Sequence, residues 1–450
     1  MAVYSIIKKS QLEGAKRLDA EYYQPEYLLL NEKLKKQSVK LLDELAFITD
    51  GIHASIDYDA DSNIRCFSAQ APKNNYFESV EQFISEKQHT ANKRTALKAG
   101  DILLSSVGTI GNAAVIDDSM LPANADRHVG LIRLHGNQVI SPYFLSTFLN
   151  SKYGRFQSVR ESTGNVQLNL FIDKIKTFIV PYPKVAQMQE VDKLAANAFQ
   201  EREKSEKFYF QAENLLLEEL VLKDFEGEQS LFSSVNFSEL KETKRMDAEY
   251  FQPKYEKLES RIRKYESRHL EKVLENVSAK FNPLTQSDKL FKYVELSNIN
   301  ALIGIIDGFS EVLGKEAPSR AKRVLKEGDV IVSSVEGSLG KVALVHKEQK
   351  DFLASTGFFQ FRSNEILPEV LLVLAKSIVF QWQLEKRCAG TILTSVPKES
   401  IKDMPIPILP KQTQQKIAEL VRKSHESRKK AKELLEEAKR KVEQMIENAS

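Results

Sequence analysis

Hydrophobic residues recur every three or four positions along two long segments, 187–222 and 412–446, neither of which contains glycine or proline. This spacing is typical of amphipathic helices that pair with another helix. The stripe of the second segment consists of Ile417, Leu420, Ser424, Ser427, Ala431, Leu434, Ala438 and Met445, and that of the first of Val191, Leu194, Ala198, Ser205, Phe208, Ala212 and Leu215. We predict two helices, each about 54 Å long at about 1.5 Å per residue, packed antiparallel. Small residues in both stripes would let their backbones approach closely. The alternative is that each helix lies on its own globule.

Outside these segments the pattern changes to short apolar runs separated by glycine and asparagine turns. Helical spacing returns only briefly, and each region closes with an extended run that contains proline. We therefore predict an α/β (mixed α+β) fold. The expected strands are 101–107, 113–116 and 131–134 in the first half and 329–335, 342–345 and 358–361 in the second, the short helical segments are 142–156 and 368–384, and the closing runs are 178–183 and 404–410.

The whole order of elements occurs twice. Arg17-Leu-Asp-Ala-Glu-Tyr-Tyr-Gln-Pro-Glu-Tyr27 returns 228 positions later as Arg245-Met-Asp-Ala-Glu-Tyr-Phe-Gln-Pro-Lys-Tyr255, and the Gly-Asp strand at Gly100 returns at Gly328. Such a period is too long for a solenoid or a propeller and indicates two copies of one domain, related by a pseudo-two-fold axis. The predicted division is a domain at 1–185, a central helix at 186–227, a second domain at 228–410 and a C-terminal helix at 411–450.

Composition and charge exclude several classes of protein. The net charge of the 450 residues is only +3, so a nucleic-acid-binding face would have to be a local patch. Cys66 and Cys388 lack metal-ligand spacing, which favours a reducing cytosol over a disulfide framework or a zinc site. Because the N-terminus lacks a signal-peptide pattern and the most apolar segment is too short to cross a bilayer, we expect a soluble cytoplasmic protein without a membrane partner.

Catalytic signatures are also missing from the sequence. Gly340-Lys341 lacks the rest of a phosphate-binding P-loop, and Asn282-Pro-Leu284 lacks the rest of an amino-methyltransferase motif. Neither a His-Glu-x-x-His zinc motif nor a Gly-x-Ser-x-Gly nucleophile elbow occurs. We predict a protein that binds rather than reacts, with no catalytic residue, no metal site and no cofactor.

Two repeated features could hold the phosphates of DNA. Each Gly-Asp strand runs into a Gly-x-x-Gly turn, which can present backbone N–H groups and hydroxyls, and basic residues precede each strand. The alternatives are a purely structural turn, in which glycine supplies a positive φ, and an ordinary solvated surface. The phosphate candidates are Lys93, Arg94, Lys98, Ser105, Ser106, Thr109, Arg320, Lys322, Arg323, Lys326, Ser333, Ser334 and Ser338.

Two further segments are polar and differ between the copies. Asparagine, glutamine, serine and threonine side chains can read base edges, so loops that differ on a shared frame could read two different half-sites. The candidates for base readout are Ser68, Gln70, Asn74, Asn75, Ser162, Thr163, Asn165, Gln167 and Asn169 in the first copy and Ser297, Asn298, Asn300, Thr391, Thr394 and Ser395 in the second.

Taken together, these features resemble the specificity subunit of type I restriction–modification systems. The resemblance rests on the two Asp-Ala-Glu-Tyr-x-Gln-Pro openings, the Gly-Asp strands with their Gly-x-x-Gly turns, the loops at Gly164 and Gly390, the Pro-x-Pro exits and the two long helices. It implies a non-catalytic subunit with two target-recognition domains that holds double-stranded DNA at a bipartite target. Two methyltransferase subunits would then modify adenines, and restriction–translocase subunits would cleave. The near-neutral charge is a departure from what a DNA-binding subunit suggests.

Two other functions remain open at the level of sequence. The chain could be a diverged or fragmentary DNA-modification enzyme, which would bind S-adenosylmethionine. It could also be a structural scaffold that binds only protein, in which case its complex would show no DNA sequence preference.

Overall fold

In a computed structural model of the protein, the two Gly-Asp strands lie in separate units of the chain. Unit 1 comprises Met1–Arg202 with Lys429–Ser450, and unit 2 comprises Glu203–Arg428. Each unit has the order of elements that the sequence repeat predicts, so the mixed α+β class is confirmed. The structure describes residues 4–15, 17–77, 82–136, 139–164, 167–227, 232, 234–243, 245–390 and 394–448.

Unit 1 is built on a four-stranded antiparallel sheet in the order β2-β7-β4-β5, with a parallel pair β3-β6 and an antiparallel pair β1-β8. Its strands are β1 (Val39–Leu41), β2 (Ala46–Asp50), β3 (Arg65–Phe67), β4 (Ile102–Ser105), β5 (Ala113–Val115), β6 (Ala123–Ala125), β7 (Val129–Leu134) and β8 (Ile179–Pro181). Its helices are α1 (Lys9–Ala15), α2 (Pro25–Lys35), α3 (Leu42–Leu45), α4 (Glu86–Ala91), α5 (Pro142–Asn150), α6 (Lys152–Glu161) and α7 (Ile172–Lys176), followed by the long α8 (Val185–Glu219).

Unit 2 repeats this frame and adds strands to its edges. The order β10-β19-β16-β17 matches the central sheet of unit 1 and continues into β13 and β12, and the parallel pair β11-β18 is widened to the sheet β14-β11-β18-β15. The helices are α9 (Phe237–Thr243), α10 (Pro253–Lys264), α11 (Leu270–Val273), α12 (Pro368–Lys376), α13 (Ile378–Lys386) and the long α14 (Lys411–Glu447). The strands are β9 (Ser267–His269), β10 (Glu275–Asn276), β11 (Leu290–Val294), β12 (Ile299–Asn300), β13 (Ile305–Ile306), β14 (Ser310–Leu313), β15 (Ala321–Val324), β16 (Val330–Ser333), β17 (Val342–Leu344), β18 (Leu353–Ser355), β19 (Phe358–Arg362) and β20 (Pro405–Pro407).

The helical segments predicted at 142–156 and 368–384 are each two helices rather than one. The break falls at Ser151 between α5 and α6 and at Ser377 between α12 and α13, and both serines have extended backbone angles. Their hydroxyls donate to the carbonyl oxygens of Phe148 (2.6 Å) and Leu374 (2.8 Å). A side chain that bonds back to the preceding turn in this way competes with helix continuation, which explains the shared break.

A buried ion pair explains why aspartate follows glycine in both copies. Asp101 accepts two hydrogen bonds from the Arg133 guanidinium, at 2.7 and 2.6 Å, and one from the backbone N–H of Lys98 at 2.7 Å. Asp329 has the same relation to Arg362 and to the backbone N–H of Lys326. The two aspartate side chains are only 2% and 1% exposed. These pairs join the start of β4 to β7 and the start of β16 to β19.

The paired helices after each central sheet supply much of the apolar core. In unit 1, Phe144, Phe148 and Tyr153 of α5 and α6 belong to the same buried cluster as Ile102 and Leu104 of β4. In unit 2, helices α12 and α13 pack in the same way against β16. Buried side chains on both faces of β4 and β16 account for their continuous apolar sequence.

The two long helices are confirmed, and they pack antiparallel in each unit. In unit 1, Glu190 pairs with Lys441 and Glu201 with Lys430, so the numbering rises along α8 as it falls along α14. In unit 2, the Ser424 hydroxyl donates to the backbone oxygen of Ser205 at 2.7 Å. A side chain as short as serine reaches the facing backbone only when two helices lie close together, as the small residues in the stripe predict.

Candidate nucleic-acid interface

The Gly-x-x-Gly turn of unit 1 (residues 107–111) follows directly from the buried strand β4. Gly108 and Gly111 have positive φ values of 73° and 84°, a conformation that favours glycine. A Cβ atom at Gly111 would lie 2.8 Å from the Cβ of Ser158, whereas one at Gly108 would meet nothing within 4 Å. The second glycine therefore serves packing against α6, and the first leaves an open approach to the backbone.

The polar loop of unit 1 (residues 163–169) lies beside this turn. Thr163 and Asn169 close its base by exchanging backbone hydrogen bonds of 2.9 and 2.7 Å, and Leu170 N–H donates to the Ser106 carbonyl oxygen at 2.8 Å. Gly164 has a φ of 121°, and a Cβ there would lie 2.2 Å from the Gln167 carbonyl oxygen. The loop therefore requires glycine at this position, and its base is hydrogen-bonded to the end of β4.

A third segment of unit 1 reaches the same place through its backbone. The hydroxyls of Ser105 and Thr109 both donate to the Ala69 carbonyl oxygen, at 2.6 and 3.3 Å. Gln70, the next residue, is exposed. Three segments that are far apart in sequence thus meet at the end of one strand.

Unit 2 assembles the same site from the corresponding segments. Ala389 and Ser395 exchange two backbone hydrogen bonds of 3.0 Å, and Val396 N–H donates to the Ser334 carbonyl oxygen at 2.8 Å. Gly337 and Gly390 have φ values of 73° and 126°, close to those of their counterparts in unit 1. The Gly-x-x-Gly turn here (residues 335–340) contains one more residue, the exposed Glu336, whose N–H donates to the Thr394 carbonyl oxygen at 3.0 Å.

Comparison with known proteins gives the same duplication. Residues 54–199 and 284–439 both match the family described as the type I restriction modification DNA specificity domain, and together they cover about two thirds of the chain. The chain belongs to this family. It carries two DNA specificity domains, and a role in DNA specificity is what the sequence predicted.

Individual relatives are more distant. The specificity subunit of the type I restriction enzyme HindI from Haemophilus influenzae is 29% identical over 113 residues, which are 24% of this chain and 24% of that subunit. The S subunit of a type I restriction–modification system from M. genitalium is 13% identical at a TM-score of 0.38, covering 92% of this chain and 95% of that one. The HsdS subunit from Thermoanaerobacter tengcongensis is 12% identical at a TM-score of 0.29, covering 91% and 96%. TM-scores this low do not establish that the overall arrangement of this chain is the same as that of either subunit.

Most residues predicted to read bases lie at or near the two sites. Gln70, Gln167 and Ser297 are exposed. The half-buried candidates are Ser68, Asn74, Thr163, Asn169, Asn298, Asn300, Thr394 and Ser395. In unit 2 the segment 297–300 adjoins the turn, because the Lys341 ammonium donates to the Ile299 carbonyl oxygen at 3.0 Å. Asn165 and Thr391 lie outside the described residues.

Several of these candidates have structural roles instead. Ser162 is buried, and its hydroxyl donates to the Val159 carbonyl oxygen at 2.7 Å. The Asn75 side chain is bonded inside unit 1 by Ser146 and Asn150, at 2.5 and 3.1 Å. Asn298 and Asn300 use their side-chain oxygens to accept from nearby backbone N–H groups. We therefore remove Ser162 and Asn75 from the set of base-reading residues.

The phosphate candidates divide in the same way. The side chains of Lys93, Lys98, Thr109, Arg320, Lys322 and Lys326 are exposed, and Ser338 is half-buried. Arg94 is also exposed, but its guanidinium is bonded to the Thr49 hydroxyl and lies 3.6 Å from Asp50.

Five residues of that set are unsuited to contact DNA. Ser105, Ser106 and Ser333 are buried at the ends of the central strands, and the Ser334 hydroxyl donates to the Gly357 carbonyl oxygen at 2.9 Å. Arg323 is buried and donates to the Val277 carbonyl oxygen at 2.6 Å, and burial lowers the pKa of its guanidinium to about 10. The sequence pattern could not separate these residues from their exposed neighbours, because the strands are buried on both faces.

One repeated feature was given no role by the sequence. The Arg-x-Asp-Ala-Glu-Tyr segments, used above only as evidence of duplication and of the family resemblance, lie against the residues that lead into the polar loops. The Arg17 guanidinium lies 3.5 Å from the Ser162 carbonyl oxygen, and the Arg245 guanidinium donates to the Cys388 carbonyl oxygen at 2.9 Å. The repetition of the segment was itself the signal that could have assigned it to the site. Within the described ranges no group of three or more His, Cys, Asp and Glu residues could hold a metal ion, and no helix is long and apolar enough to cross a membrane.

Two glycines with positive φ, at opposite ends of β4, allow a test of the site. Alanine at Gly108 or at Gly100, which has a φ of 86° at the opposite end of β4, should cost a similar 1–2 kcal/mol, roughly, because both positions are left-handed. Only Gly108→Ala should also weaken DNA binding, by about tenfold, the equivalent of one lost charged hydrogen bond. Thermal unfolding and DNA titration of both variants measure this, and equal binding losses would place the DNA elsewhere.

Proposed function

We propose that the chain reads a bipartite sequence in double-stranded DNA, one half-site with each specificity domain. The supporting observation is that both units hold the turn and the polar loop together with the same backbone bond, from Leu170 N–H to Ser106 O and from Val396 N–H to Ser334 O, each 2.8 Å long. The side chains on this shared frame differ: Gln70 and Gln167 in unit 1, Thr394 and Ser395 in unit 2. Equal frames with unequal polar groups suit the recognition of two different sequences.

The charges around each site suit contact with the DNA backbone. Exposed lysines precede the central strand in both units, at Lys93 and Lys98 and at Lys322 and Lys326. They are followed in unit 1 by the open turn at Gly108, where the backbone can approach a phosphate. The hydroxyls of Thr109 and Ser338 already donate to the Ala69 and Val335 carbonyl oxygens, so we assign phosphate contact to the lysines and base contact to the polar loops.

The assembly in which this reading takes place is part of the same proposal. In it the chain works in the cytoplasm with two methyltransferase subunits and with restriction–translocase subunits, and it brings no cofactor of its own. The helices within 186–227 and 411–450 would act as spacers between the recognition domains 1–185 and 228–410, so that the unread stretch between the half-sites has a fixed length.

Substitution of one exposed glutamine tests base readout. In the chain assembled with its methyltransferase partners, Gln167→Ala should relax one base position, costing about 1–3 kcal/mol of discrimination. The matched control Gln200→Ala removes an exposed glutamine from α8 and should leave discrimination unchanged. Binding to a panel of DNAs with single base changes measures both.

A lysine variant distinguishes contact with the DNA phosphates from contact with the bases. Lys98→Ala should weaken binding to cognate and scrambled DNA alike and reduce the slope of log K against log salt by about 1. If Gln167→Ala also weakened both DNAs equally, Gln167 would be a positioning residue and base readout would have to be assigned to Gln70.

A further inference from the structure

The repeated Arg-x-Asp-Ala-Glu-Tyr segment forms a closed cluster of side chains in unit 1. Arg17 makes a two-pronged ion pair with Asp19, at 2.5 and 2.6 Å, and lies over the Tyr22 ring at 5.0 Å from its centroid. The hydrogen bonds from Arg17 lower the pKa of the Asp19 carboxyl. Asp19 therefore stays ionised and fixes the orientation of the guanidinium plane, since such forked pairs are geometrically specific.

This cluster closes on the end of α6, the helix that leads into the polar loop. The Arg160 guanidinium lies 4.1 Å from the centroid of the Tyr22 ring and donates to the Tyr22 carbonyl oxygen at 3.0 Å. The Tyr22 hydroxyl donates to Glu161 at 2.9 Å. The Arg17 Nη2 group in turn donates a long hydrogen bond of 3.5 Å to the Ser162 carbonyl oxygen. Carbonyl groups at a helix C-terminus lack partners within the helix and attract cations.

Unit 2 repeats the arrangement with different residues. Arg245 makes the same forked pair with Asp247, and its second nitrogen donates to the Cys388 carbonyl oxygen at 2.9 Å. Two cations lie over the Tyr250 ring, Arg245 at 4.8 Å and Lys386 at 5.2 Å from its centroid. Cys388 directly precedes Ala389, which closes the base of the polar loop. The cation that the helix before the loop places over the tyrosine ring is Arg160 in unit 1 and Lys386 in unit 2. The contact from the repeated arginine to the start of the loop is kept in both units.

We propose that the Arg-x-Asp pair of each domain is a clamp that positions the polar loop, so that each pair governs the reading of one half-site only. The inference rests on the proposed function and deepens it. Arg17 and Arg245 are positioning residues: their side chains are only 16% and 24% exposed, and their Nε and Nη2 groups donate to the paired aspartate and to the carbonyl oxygen just before the loop. Because the loop contact is shorter in unit 2, Arg245 should matter more than Arg17.

The first test measures the loop without DNA. In the full chain, Arg245→Ala should speed hydrogen exchange at the amides of Ala389 and Ser395 by about tenfold, the equivalent of one lost charged hydrogen bond, and leave Thr163 and Asn169 unchanged. Arg17→Ala should do the reverse. The matched control Arg268→Ala, which breaks an exposed pair with Glu365, should alter neither loop. Unchanged amides in Arg245→Ala, or equal changes in both loops, would overturn the clamp.

The second test measures how well the complex discriminates between DNA sequences. With the methyltransferase partners present, Arg245→Ala should reduce discrimination at the half-site read by unit 2 by about tenfold, with affinity for scrambled DNA unchanged. Equal loss on every DNA would make Arg245 a phosphate contact or a stability residue and would overturn the proposal. A wild-type complex without any sequence preference would instead refute the proposed function, while hydrogen exchange would still decide whether the clamp holds the loop. If Arg245→Ala does not fold, Arg245→Lys, which cannot form the forked pair, provides the same readouts.

Discussion

Exchange of residues 228–410 for the corresponding segment of another family member is expected to change one half of the recognised DNA sequence and to leave the other half unchanged. Each unit carries its own Gly-x-x-Gly turn and polar loop, and the backbone bonds that join them lie within that unit. The exchanged segment contains the exposed Ser297 and the loop at Gly390, whereas Gln70 and Gln167 remain. A complete change of one half-site exceeds any effect expected from a single substitution.

The reciprocal exchange is the matched control. Replacement of residues 1–185 should change the other half-site, and both chimaeras should keep the length of the unread stretch because both keep α8 and α14. Sequencing of methylated sites measures the two outcomes. Changes in both half-sites from one exchange would show that the domains read DNA jointly, contrary to the proposal.

The largest effect on stability is expected at the buried aspartates. Asp329→Ala should lower the free energy of unfolding by about 3–5 kcal/mol, because it leaves the Arg362 guanidinium and the Lys326 N–H without their acceptor. Asp101→Ala should have a similar effect through Arg133. Urea denaturation followed by circular dichroism measures both.

An exposed aspartate provides the control for this prediction. Asp288, whose side chain is 89% exposed, lies 3.8 Å from Lys315, and Asp288→Ala should change stability by no more than about 0.5 kcal/mol. A loss below about 1 kcal/mol for Asp329→Ala would mean that Arg362 finds another partner at little cost and that the repeated Gly-Asp motif has some other purpose.

The sequence predicted the frame of the protein well because the frame is repeated. The strands after Gly100 and Gly328 and the long helices with their small residues all occur as expected. The breaks at Ser151 and Ser377 were missed because apolar residues continue across them. They depend on a serine hydroxyl bonding to the preceding turn, which apolar periodicity does not report.

The site was predicted only in part. The turn and the loop were found as polar, glycine-containing segments, but their contact depends on how the chain returns to the end of β4, more than fifty residues after Gly108. Burial also could not be read locally: Arg94 and Arg323 both lie in the basic segments that precede the central strands, yet Arg323 faces the interior of unit 2. The extra strands β14 and β15 in that unit had no signal in the repeat.

The most direct test of the central claim is to map methylated adenines in DNA from cells that contain the wild-type chain and its partner subunits. We expect a single bipartite sequence, with two specific parts separated by an unread stretch of constant length. A continuous recognition sequence, or methylation without sequence preference, would contradict the proposal that each specificity domain reads its own half-site.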